Sequence, residues 1–126
     1  MDLRQDRPGE HLYIRSISEQ GIQVVDQWHT GPLVLSAQEL VTDWPVREFA
    51  EITEHSLQPV FAMNPDVVLL GTGATQKFLP PELMVALYER GIGAETMTTD
   101  AACRTFNVLV SEERRVVAAL LPVNSE

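Results

Sequence analysis

Residues 65–73 read Pro65-Asp66-Val67-Val68-Leu69-Leu70-Gly71-Thr72-Gly73. The apolar run has no polar position, so it predicts a strand covered on both faces, as in a parallel sheet flanked by other layers. Pro65-Asp66 leads into it and Gly71-Thr72-Gly73 ends it. A strand of this kind delivers backbone N–H groups to the carboxyl edge of the sheet, where open α/β sheets place ligands. Glycine there permits close approach of a ligand or of another backbone. The turn is neither a Walker loop nor a dinucleotide fingerprint. The required lysine and third glycine are missing, and Gln76-Lys77 does not replace them. The alternative is a tight turn that needs positive φ or close packing.

Downstream, Pro80-Pro81-Glu82 opens a helix, with proline tolerated in the first turn and an acid at the positive end. Leu83, Ala86, Leu87 and the stem of Arg90 share one stripe, and Gly91 is a C-terminal stop. Ile92 to Met97 predicts a strand. Thr98 or Thr99 caps a third helix running to Ser111, and Arg115 to Leu121 predicts the closing strand before Pro122. Strand, helix, strand, helix, strand implies at least one parallel crossover.

Upstream, short apolar runs separated by turn residues predict an antiparallel meander. Leu12 to Ile17, Ile22 to Val25 and Leu33 to Leu35 are its strands, and Val41 to Val46, with Trp44-Pro45, is a further edge element. Between Ile22–Val25 and Gly31-Pro32 a break is expected at Asp26-Gln27. Thr53 or Ser56 caps a short helix ending near Ala62, with Pro59 disturbing its register. The fold class is therefore α/β: a mixed central sheet with flanking helices and an N-terminal β-meander layer. Residues 1–10 read as a polar lead-in, 11–122 as one domain and 123–126 as a C-terminal tail.

The chain has 126 residues, enough for one core without disulfides or metal. Its 18 acidic and 9 basic residues leave a formal charge of −9. That charge repels phosphate backbones and anionic lipid, so nucleic acid and membrane surfaces are not expected partners. Cys103 stands alone and cannot form an internal disulfide. Met1-Asp2-Leu3-Arg4-Gln5-Asp6 is polar with no apolar segment after it, so no leader is expected and the location reads as cytoplasmic. His11, His29 and His55 have no metal-ligand spacing, and no metal or cofactor is expected.

The helix Thr99–Ser111 holds the remaining candidates. At 100° per residue Ala102, Phe106, Leu109 and Val110 share an apolar face, while Asp100, Arg104, Asn107 and Ser111 share a polar one. Arg104 near the helix start has the chemistry to meet an anion beside free N–H groups; the plainer reading is a solvated stripe with an Asp100–Arg104 pair. Cys103 lies early in the helix beside Arg104, which favours a thiolate, but a lone cysteine near an apolar face is ordinarily a small core residue. Trp28, Trp44, Phe61 and Phe78 read as core or edge anchors, Phe78 also lying close enough to the glycine turn to shield it.

Three blocks together resemble the Mth-type domain family of unknown function: Pro65–Gly73, Met97–Leu109 and Glu113–Pro122, with Asp43-Trp44-Pro45 before them. That family includes mitochondrial complex I assembly factor 3 and an adipogenesis-associated Mth-domain protein. The resemblance implies a three-layer α/β fold and action through protein contacts during assembly, with no established enzymatic activity. It also implies that Gly71, Thr72, Gly73, Met97, Thr99, Arg104, Thr105 and Asn107 surround a shared cleft. Phe106 stands where the family often has tyrosine, which removes a hydroxyl. Two functions are thus expected: a non-enzymatic binding or assembly module with an unidentified protein partner, or a small-anion or metabolite site, with or without catalysis, between the 71–73 turn and the Thr99–Asn107 helix.

Overall fold

The computed structural model describes residues 11–126; the lead-in read over residues 1–10 lies outside them. Eight strands and three α-helices follow in the order β1 (Ile14–Ser18), β2 (Gly21–Val24), β3 (Gln27–His29), β4 (Leu33–Leu35), β5 (Leu40–Val41), α1 (Gln58–Ala62), β6 (Val67–Gly71), α2 (Pro81–Glu89), β7 (Gly93–Met97), α3 (Thr99–Ser111) and β8 (Val116–Leu120). A 3-10 turn, Phe49–Glu51, precedes α1.

The central sheet has five strands in the order β5-β4-β8-β6-β7. β6 pairs in parallel with both β7 and β8, whereas β4 runs antiparallel to β8 and β5. Side-chain alternation sorts the sheet into two cores. Val34, Val68, Leu70, Val117 and Ala119 face α1, α2 and the 3-10 turn, together with Trp44 and Leu57. Leu33, Leu35, Leu69, Ala118 and Leu120 face α3 and the small three-stranded sheet β1-β2-β3, whose Ile14, Ile22 and Val24 complete that core. This is the expected three-layer arrangement with an N-terminal β layer. Burying a side chain such as Leu70 or Phe106 contributes on the order of 1.5–3 kcal/mol, so two full apolar layers hold the sheet.

Several local expectations are corrected. Gln27–His29 is a strand rather than a break: its backbone pairs with β2, and its outward Trp28 carries no apolar alternation to announce it. Leu33–Leu35 does not continue the meander but leaves for the central sheet, where Leu33 pairs with Leu120. The predicted edge element shrinks to Leu40–Val41. Beyond it Trp44 is buried, and its indole N–H donates to the Ser56 carbonyl at 2.7 Å. Helix α1 begins after Leu57 with Pro59 in its first turn; Thr53 and Ser56 bond to one another in the turn before it instead of capping it. Phe61 is half-buried beneath the Arg90 guanidinium, which lies 3.8 Å from its ring centre.

Candidate functional site

At the carboxyl edge of the sheet the chain leaves β6 toward one face, into α2, and leaves β7 toward the other, into α3. The crevice between two such strand ends is the standard ligand position in open α/β sheets. Here the chain's own polar groups occupy it. The Thr72 N–H donates to the Met97 carbonyl at 2.8 Å. The Gly73 N–H donates to the Thr99 hydroxyl at 2.9 Å, and that hydroxyl donates to the Leu121 carbonyl at 2.8 Å. The Ala74 N–H donates to the Ser125 carbonyl at 2.8 Å. The Thr72 hydroxyl donates to the Thr75 carbonyl at 2.6 Å and lies 3.1 Å from that of Met97.

Both glycines are explained by this packing. A Cβ on Gly71 would come within 2.8 Å of the Leu120 side chain and 2.9 Å of the Thr99 hydroxyl. Gly73 has φ +95°, and a Cβ there would overlap the Ser125 carbonyl. Ser125 belongs to the segment read as a tail, yet it closes over the turn. A ligand reaching the Ala74 amide has to displace it, while the Thr72 and Gly73 amides are held by Met97 and Thr99.

Helix α3 starts where Thr98 accepts the Ala101 N–H at 3.3 Å. Thr99 is the next residue and is fully buried, so it serves as the bridge between turn, helix and β8. Asn107 lies eight positions on, about 12 Å further along the axis at the usual helical rise. Its carboxamide accepts the Ile14 N–H at 2.9 Å and donates to the Ile14 carbonyl at 2.7 Å, which docks β1 onto the helix beside a register shift in that strand. Arg104 is exposed and pairs with Asp100 one turn back. Thr105 and Met97 are half-buried. The residues read as two walls of one cleft are therefore engaged separately: the turn with Thr99 and Ser125, Asn107 with Ile14, Arg104 with Asp100.

Cys103 is buried in the core beneath α3 with Ala102, Phe106 and Val110. Burial pushes its thiol up to about 12, Asp100 adds to the rise and Arg104 opposes it. The early-helix position that would lower the thiol is outweighed by desolvation. Phe106 is fully buried, so the ring at this position works as core.

A different surface carries exposed apolar side chains. Phe78, read as a core or edge anchor, is instead 77% exposed. It stands at the mouth of an open groove of about 370 Å3 whose apolar lining includes Phe49, Ile52 and Pro80. A shallower extension continues along Ile52, Pro80 and Leu83. Helix α2, whose Glu82 and Leu83 line only that extension, turns Leu83 and Leu87 inward but leaves Met84, Val85 and Tyr88 exposed, Tyr88 by 82%. The signal was present in the spacing: Pro81, Met84, Val85 and Tyr88 recur at helical intervals on the side opposite the inward stripe.

Comparison with known proteins agrees with this architecture. The mouse protein named NADH dehydrogenase [ubiquinone] 1 alpha subcomplex assembly factor 3 is 35% identical over all of this chain and 69% of its own length. The 13 kDa major membrane protein of Francisella tularensis is 34% identical over 71% of this chain and 74% of its own. A Bordetella pertussis solution structure described as a Mth938-like domain superposes with a TM-score of 0.79 at 30% identity, covering 91% of this chain and 88% of that one. The chain spans about two thirds of the length of the curated assembly factors it matches. Residues 14–121 match the model of a family described as protein of unknown function (DUF498/DUF598), and the chain belongs to that family.

Proposed function

We propose that this chain is an assembly-factor-like protein that acts by binding another protein and catalyses no reaction of its own, in the cytoplasm. The observation that carries this reading is the set of large apolar side chains left open to solvent, Phe78 and, on the outer side of α2, Met84, Val85 and Tyr88, while the amides of the Gly71–Gly73 turn are bonded by the chain itself. Apolar surface of this kind marks partner sites on soluble domains. The kinship with proteins named as NADH dehydrogenase assembly factors supports the choice of partner: a subunit or assembly intermediate of that respiratory enzyme.

The test is deletion of the gene in its native host, followed by native gels of the NADH dehydrogenase and by in-cell crosslinking of the tagged chain. Accumulated subcomplexes and a crosslinked subunit are expected. Normal assembly together with no crosslinked partner would remove the reading.

A further inference from the structure

Resting on that assembly-factor reading, we infer that the groove between the 3-10 turn and the start of α2 receives a cationic amphipathic helix of the partner protein. The groove has an apolar floor of Phe49, Ile52 and Pro80, with Phe78 projecting at its mouth. Helix-in-groove recognition needs this combination: a trough for two or three anchors and a projecting aromatic that closes over them. The lining selects the charge. Glu48, Lys77 and Glu126 line the groove and Glu54 and Glu82 its extension, so acids outnumber bases among the lining side chains. Arg90 lies 3.6 Å from Glu54 and offsets part of that charge, whereas Glu48 and Glu82 are exposed. The chain as a whole carries −9, which draws a basic segment and holds off a second copy of the same chain. Anionic lipid is disfavoured by the same sign.

The experiment uses the full chain and three probes: a short amphipathic Leu/Lys helix, its Leu/Glu counterpart, and phosphatidylglycerol vesicles. Wild type is compared with Phe78→Ser and with Glu48→Lys/Glu82→Lys, all at exposed positions. Trp28→Ser and Glu112→Lys/Glu113→Lys, at exposed positions on other elements, are controls. The expected result is saturable binding of the Leu/Lys helix alone, weakened about tenfold or more by either groove variant and little changed by the controls, as for loss of an interface hot spot. Equal weakening by groove and control variants overturns the proposal, because it reports general charge attraction. So does preferential binding to vesicles, or a dimer in sedimentation that Phe78→Ser dissolves. In cells, partners recovered equally by wild type and Phe78→Ser reject the groove while leaving the assembly reading intact; partners recovered by neither reject the assembly reading itself.

Discussion

Thr99 and Gly73 meet through one buried hydroxyl that accepts the glycine amide and donates to the Leu121 carbonyl. Three elements, the turn after β6, the start of α3 and the end of β8, thus converge on a single oxygen. Thr99→Val keeps the shape and removes the bonding. It strands two buried backbone groups, each costing about 1–3 kcal/mol, so an overall loss of about 2–4 kcal/mol is expected in urea unfolding. Thr99→Ser retains the hydroxyl and should lose only about 1 kcal/mol, the value of a buried methyl group. Equal losses for the two variants would show that the hydroxyl is not what matters.

Asn107 bonds both backbone groups of Ile14, acting as a strand partner where β1 has its register shift. Asn107→Ala should cost about 1–3 kcal/mol, two modest hydrogen bonds in a partly buried place. The loss should be local. Amide exchange at Ile14 is expected to accelerate more than exchange at Leu69 or Ala118 in the central sheet. Uniform acceleration would mean that β1 is held by its apolar contacts instead.

Cys103 is buried with its thiol pushed up to about 12. Two outcomes follow. Native protein should resist alkylation at neutral pH, and the thiol should react at once in denaturant. Stability should also depend on alkaline pH. The unfolded thiol ionises near 9 while the folded one stays protonated, so between 9 and about 12 the unfolded state releases the proton first and stability falls as pH rises. The slope from this group is at most about 1.4 kcal/mol per pH unit. Comparison with Cys103→Ala isolates it: if the variant falls as steeply as wild type, the thiol is not responsible.

The two tryptophans sit in opposite environments, Trp44 at 2% exposure and Trp28 at 47%. Acrylamide should quench only part of the native emission, and Trp28→Phe should leave a blue-shifted, poorly quenched signal. Trp44→Phe should cost about 2–4 kcal/mol, from lost core volume and from a Ser56 carbonyl deprived of its indole donor. A fully quenchable signal in Trp28→Phe would place Trp44 at the surface.

What could be read from the chain divides by the range of the interaction. Val67–Leu70 was legible because burial on both faces leaves no polar position in a strand. The ends of α2 and the cap of α3 were legible because Pro80-Pro81, Gly91 and Thr98 act within a few residues. The change of sheet at Leu33–Leu35 was not, since its partner strand ends at Leu120, far along the chain. Asn107 was placed correctly on the polar side of its helix, but polarity does not say whether water, a ligand or the Ile14 backbone is the partner. The same ambiguity surrounds Gly71-Thr72-Gly73: close approach was the right inference, and what approaches is Thr99 and Ser125. The apolar row on α2 is visible in the spacing, but the inward stripe alone accounts for the helix, so spacing does not single the outer row out.

The order β5-β4-β8-β6-β7 places a late strand at the centre of the sheet. While a ribosome is still extending α3, β4 with β5 and β6 with β7 can exist only as two separated ribbons, each with a raw edge. The strand that joins them has yet to emerge. Closure therefore waits on the last strand of the sheet, a long-range pairing of the kind that slows folding, and until then the two ribbons keep unpaired edges open to other chains.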